Sequence, residues 1–170
     1  MHLHEHIKLD ATALICDHAA MTDKPSQTVV RAWARLMKAQ QLVLASIERA
    51  LKVAGLPPLD WYDVLLEVER AGENGLRPFE LERAMLLAQY NLSRLVDRIE
   101  RAGYVERQVC EEDGRGQLVA ITPLGKAMRR KMWPVYSQAI GSAVGQHLSG
   151  KEAEALDGLL GKLIEKNTPG

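Results

Sequence analysis

The apolar positions of the chain fall into regular steps from Ser26 onward. Val29, Val30, Trp33, Leu36, Met37, Leu44, Ile47 and Leu51, with Gln40 among them, recur at three- and four-residue intervals. That period predicts a long amphipathic helix over residues 26–55, with Ser26 as its N-cap and Gly55 at its stop. Pro57-Pro58 breaks the chain, and Asp60 is the expected cap of a second helix carrying Trp61, Val64, Leu65 and Val68. Gly72 and Gly75 close that helix. Pro78 suits the first turn of a short helix whose Phe79, Leu81 and Met85 are expected to face inward. A brief turn near residues 86–88 leads into the next helix. There Leu92, Leu95, Val96 and Ile99 occupy positions i, i+3, i+4 and i+7, and Gly103 ends the run.

The period then changes from helical to strand-like. Residues 104–109 and 118–121 read as two strands, with a polar tip, EEDGRG, between them. Thr122 is the expected N-cap, and Pro123 the first residue, of a helix running to about Gln146 with a kink at Pro134. Ser149 and Glu152 form a capping box for a last helix with Ala155, Leu156, Leu159, Leu160 and Leu163 along its apolar face. Residues 1–25 show no clear period, although 10–20 are long enough for a short helix. The fold class is therefore mainly α with a small β hairpin: an N-terminal extension over 1–25 and a single domain over 26–170. A pair of helices joined by a short turn and followed by a hairpin is a winged helix-turn-helix, spanning 58–122. The helices at 26–55 and 123–166 carry more apolar surface than that motif needs and are expected to dimerise.

Charge modifies this picture. The formal net charge is +0, which alone argues against a nucleic-acid partner. Its distribution says otherwise. Residues 26–52 hold five basic side chains and one acid, residues 53–76 hold five acids and one base, and residues 77–130 hold ten bases against eight acids. Any affinity for DNA should then depend on local surface and be modest away from a specific site. No apolar run suffices to cross a bilayer and no secretory signal pattern is present, so a cytoplasmic protein without a membrane partner is expected. The two cysteines, Cys16 and Cys110, are too few for a disulfide framework.

Four stretches in order carry a resemblance: GLPPLDWYDVLLEV, NLSRLVDRIERAGYVER, EEDGRGQLVAIT and TPLGKA. Together they resemble MarR-type transcriptional regulators over roughly residues 26–166. Arg94, Leu95, Val96, Asp97, Arg98, Ile99, Glu100 and Gly103 fit the family's recognition-helix pattern, and Asp113-Gly114-Arg115 fits its wing. Ala88 departs from it, because the family usually starts that helix with serine or threonine. The resemblance implies a homodimeric regulator, in most cases a repressor, that binds a pseudo-palindromic double-stranded operator. The DNA-contacting residues expected are Gln89, Tyr90, Asn91, Ser93, Arg94 and Arg98 on the recognition helix and Arg115 in the minor groove. Asp113 is the expected wing anchor, paired with Arg98, while Asp97 orients a neighbouring arginine. The resemblance also implies a small, aromatic or phenolic effector in a crevice, for which Trp33, Met37, Trp61 and Asp63 are the candidates.

Other chemistry finds little footing. No nucleophile motif, glycine-rich phosphate loop or HExxH is present, so no catalytic residue, cofactor or enzyme activity is expected. His2, His4 and His6 alternate in MHLHEH, but a tail with incidental histidines is the better reading, and no metal site is assigned. Two alternatives stay open. One is thiol-based redox sensing through Cys16 beside Asp17 and His18, a role that Glu111 and Glu112 discourage for Cys110. The other is a winged-helix module that binds protein instead of DNA.

Overall fold

The computed structural model describes residues 24–85, 91–109 and 117–167. The contacts divide the chain into residues 1–36 and residues 37–170. The described part of the first unit is the start of α1 (Gln27–Val53), where Ser26 Oγ accepts from the Val29 N–H at 3.3 Å and so caps the helix. The second unit holds the rest: α2 (Leu59–Arg70), a 3₁₀ turn (Gly72–Asn74), α3 (Pro78–Ala84), α4 (Leu92–Arg101), β1 (Val105–Val109), β2 (Gln117–Ile121), α5 (Pro123–Ile140), a π-helical segment (Gly141–Gly145) and α6 (Gly150–Asn167).

Within the second unit the apolar stripes of these helices meet in two cores. In the first, Val64, Leu65 and Val68 of α2 pack with Leu81 of α3, the four stripe residues of α4, Val105 of β1 and Val119 of β2. In the second, Ile47 and Leu51 of α1 pack with Leu59 and Tyr62 of α2 and with Met132 and Ala139 of α5. A helix of 3.6 residues per turn can present two faces, and α2 uses both. It is shared by the two cores.

The strands pair antiparallel, from Val105 opposite Ile121 to Val109 opposite Gln117. Leu76 extends this pair as an isolated bridge, its N–H donating to Val119 O at 3.0 Å and its carbonyl oxygen accepting from the Val119 N–H at 2.8 Å. The chain reaches that bridge through Gly75 at φ 62°, where a Cβ would stand 2.8 Å from the Val119 carbonyl oxygen. Only glycine fits there. After β2, the Thr122 hydroxyl donates to Gly103 O at 2.7 Å and accepts from the Gly125 N–H at 3.0 Å, so one side chain caps α5 and ties it to the end of α4. Gly125 lets α5 approach β1: a Cβ there would lie 2.0 Å from the Tyr104 carbonyl oxygen.

Several expectations are corrected. Asp60 does not cap α2. The helix begins at Leu59, whose N–H donates to Glu48 Oε1 of α1 at 3.1 Å, so a tertiary acceptor replaces a local one. Phe79 is 52% exposed, because it lies two residues from buried Leu81 on a seven-residue helix and so points elsewhere; the Arg83 guanidinium sits 5.9 Å from its ring centroid. The α5 helix passes through Pro134 but stops at Ile140, where the π-helical segment carries the chain to Gly145. The capping box at Ser149 and Glu152 is present, with the Ser149 N–H donating to Glu152 Oε2 at 2.9 Å. The short helix considered at 10–20 and the helix start at Ala88 lie outside the described residues.

Candidate nucleic-acid interface

The sequence makes α4 two-faced. Leu92, Leu95, Val96 and Ile99 are buried, which turns Ser93, Arg94, Arg98 and Arg101 outward. Arg94, Arg98 and Arg101 are four and three residues apart, so they share one side of the helix. With Asn91, Leu95 and Asp97 they line a shallow groove along it. Asn91 occupies the N-cap position, yet its side chain makes no capping bond.

What orients this helix comes from β1. The Arg107 guanidinium forms ion pairs with Asp97 and with Glu100, and the Arg107 N–H donates to Glu100 Oε1 at 3.2 Å. Asp97 and Glu100 are one turn apart on α4, so a single fork spans both. Pairs this exposed contribute little stability, about 0–1 kcal/mol each. Their value is geometric, because they fix the hairpin relative to the helix. Asp97 thus orients an arginine, as expected, but the arginine is on the strand.

Arg98 is held from a different side. Its guanidinium stands 3.6 Å from Asp60 Oδ2 of α2. Burial pushes the Asp60 carboxyl above its ordinary value, and Arg98 with the Trp61 and Asp60 backbone N–H groups pulls the other way. The described partner of Arg98 is therefore Asp60; the expected partner, Asp113, lies outside the described residues, as do Gln89, Tyr90, Arg115, Cys16 and Cys110.

Sequence reasoning missed Arg107 and Arg101. A signal for Arg107 existed. Successive strand residues alternate faces, so Arg107 shares a face with buried Val105 and must find carboxylates there. Arg101 was legible as the third member of the Arg94, Arg98 row.

The pocket candidates fall in both units, and each is described in its own. Trp33, in the first unit, is 63% exposed. In the second unit Met37 is exposed, and Trp61 packs edge-on against Tyr104 at 5.8 Å beside the first core. Asp63, 5% exposed, lines a separate cavity between α2 and α5. Among the described residues no cluster of three or more potential ligands could hold a metal, and no helix is long and apolar enough to cross a membrane.

The model of the MarR family matches residues 54–116, from just after α1 to the residue before β2. The Multiple antibiotic resistance protein MarR of Salmonella typhimurium is 30% identical over 113 residues, covering 64% of this chain and 77% of that protein. The chain belongs to the MarR family. It is also similar to the Transcriptional activatory protein BadR of Rhodopseudomonas palustris, at 29% identity over 122 residues, 72% of this chain and 66% of the relative. Among solved structures, Sco3205 of Streptomyces coelicolor, a MarR family regulator in complex with DNA, superposes with a TM-score of 0.76 at 25% identity, covering 86% of this chain and 95% of that one. This MarR-family chain is thus a transcriptional regulator built on the winged helix, with α3 and α4 as its helix-turn-helix and not as parts of an enzyme site.

Proposed function

We propose that this regulator binds a pseudo-palindromic operator as a homodimer in the cytoplasm, represses transcription by occupying it, and releases it in response to a small molecule. The observation that carries this reading is the outward row Ser93, Arg94, Arg98 and Arg101 on a helix locked to the hairpin through Arg107. Arginine reads guanine through paired hydrogen bonds, and serine holds phosphates. A helix presented this way enters the major groove with its N-terminal residues toward the bases, which assigns Gln89, Tyr90, Asn91, Ser93 and Arg94 to contact and Arg115 to the minor groove. Asp113 then serves as the anchor of the wing tip.

The second copy is invited by α6. Leu156, Leu159 and Leu163 lie on one side of it and are exposed in the isolated chain. A two-fold pairing through such a face sets two recognition helices about 34 Å apart, one turn of DNA. The similar regulator crystallised in complex with DNA supports the DNA-binding part of this reading.

A gel-shift titration against the DNA upstream of the protein's own gene, at two salt concentrations, tests it. Selective retardation is expected, weakened by about 1–3 kcal/mol in Arg94→Ala and Arg115→Ala. Retardation that is indifferent to sequence and to both substitutions would leave a protein-binding module as the surviving reading.

A further inference from the structure

Among the outward arginines of α4, Arg98 carries a carboxylate from another helix behind it. Asp60 Oδ2 stands 3.6 Å from the Arg98 guanidinium, with the Asp60 side chain 18% exposed and that of Arg98 53%. The two partners differ in freedom. Asp60 is a short side chain in the first turn of α2, a helix fixed by the Leu59 N–H bond to Glu48 and by Val64, Leu65 and Val68 in the first core. Arg98 reaches it at the end of a long, mostly exposed one. The other Asp60 oxygen, Oδ1, is buried and has no hydrogen-bond partner among the described residues. Burial disfavours the charge on Asp60, and Arg98 heads the influences that favour it. The carboxylates of α4 itself, Asp97 and Glu100, are matched separately by Arg107.

Arg98 therefore comes to the DNA-facing side with its charge already answered. A phosphate that approaches it has two courses. It can draw the guanidinium away, which strands a largely buried carboxylate without its cation, a costly state. Or it can share the guanidinium with Asp60, in which case two like charges stand within a few ångströms of one another. Either course makes Arg98 a poorer phosphate contact than an unpaired arginine at the same place.

We propose that Asp60 withholds Arg98 from DNA phosphates and so lowers the sequence-independent affinity of this regulator, leaving recognition to the N-terminal end of α4. This rests on the DNA-binding reading above, and it removes Arg98 from the contacts that the resemblance implied. A protein that neutralises one phosphate fewer releases one counterion fewer, so the pair also flattens the dependence of binding on salt. Asp60 acts here through Arg98, as a positioning residue.

Anisotropy titration of the full chain with a short duplex unrelated to the operator, at two salt concentrations, tests this in a double-mutant cycle. Asp60→Asn keeps the shape and removes the charge. It should bind that duplex about threefold or more tightly at the lower salt, with log K falling more steeply against log salt by about 0.9. Arg98→Ala alone should change affinity by less than about twofold, yet in the Asp60→Asn background it should remove the whole gain. A merely structural role for Asp60 would not depend on Arg98. Unchanged or weaker binding by Asp60→Asn, or a gain that survives Arg98→Ala, overturns the proposal. Should Asp60→Asn fail to fold, Arg98→Ala decides alone: an unchanged salt slope supports the proposal, and a slope reduced by about 0.9 overturns it, since Arg98 then already meets a phosphate. A wild type that binds no duplex, the DNA upstream of its own gene included, overturns the DNA-binding reading as well. A wild type that binds while the cycle shows no coupling overturns this inference only.

Discussion

Two helices of this chain carry an apolar stripe of similar pattern, and they meet different fates. On α4, Leu92, Leu95, Val96 and Ile99 are covered by α2, α3 and the hairpin, and none is more than 8% exposed. On α6, Leu156, Leu159 and Leu163 recur at similar spacing, yet Leu159 is 59% exposed. The stripe of α4 is satisfied within one chain. That of α6 is not, and scattered exposed leucines are common but an exposed stripe is a surface for association. The helix that faces DNA in our proposal is therefore held by its own chain, whereas the helix proposed to set the distance between two such faces keeps its stripe exposed among the described residues.

The strongest way to break this contrast is to cut into each stripe in turn. Leu95→Ala opens a cavity in a closed core and should cost about 2–5 kcal/mol, read by chemical denaturation. Leu159→Ala at the surface should change the stability of the chain itself by no more than about 0.5 kcal/mol at a concentration where it is monomeric. Similar costs at the two positions would show that α6 is covered within one chain and would remove the basis for the contrast.

Association is the next effect in size. Leu159→Glu with Leu163→Glu places two charges on the α6 stripe and should weaken self-association by about 30-fold or more, the equivalent of 2 kcal/mol. Sedimentation measures this, and circular dichroism should show the helix content of the remaining monomer. An unchanged dimer would move the interface elsewhere.

The elements that were legible in the sequence are those whose signals are local. The stripe of α4, its stop at Gly103 and the Thr122 cap of α5 each depend on residues within a turn of one another. The errors share the opposite property. Asp60 looked like a cap, but Glu48, eleven residues before Leu59, reaches the first N–H of α2. The tie that Arg107 makes from the strand across ten residues to Asp97 was not read at all. Phe79 was counted inward from hydrophobicity alone, on a helix too short for a period to show its face. The helix-turn-helix was readable, and so was the outward row on α4. The ion pairs that aim it were not, because several carboxylates were equally available along the chain and only packing chooses among them.

A third test sharpens the contrast at the junction of the two regions. Thr122 joins the end of α4 to the start of α5 through its two hydrogen bonds, so its truncation touches the closed core without cutting into it. Thr122→Ala should cost about 1 kcal/mol, less than Leu95→Ala and more than any single α6 surface change. Thr122→Ser keeps the hydroxyl and should recover most of the loss.

The smallest effect concerns how α2 is held against α4. Burial raises the Asp60 carboxyl above its ordinary value, with Arg98 opposing. A carboxyl raised on folding favours the protonated form in the folded chain. Its contribution to stability is fully present below the ordinary carboxylate value and is lost as pH rises through the raised folded value. Asp60→Asn keeps the shape and removes the titration. Denaturation midpoints of the two proteins should therefore diverge with rising pH across that window, with Asp60→Asn gaining relative to wild type by less than about 1 kcal/mol because the Arg98 pair is lost as well. The opposite trend, with wild type gaining as pH rises, would mean that the Asp60–Arg98 pair outweighs burial and that α2 and α4 are joined by charge more than by the leucines beneath them.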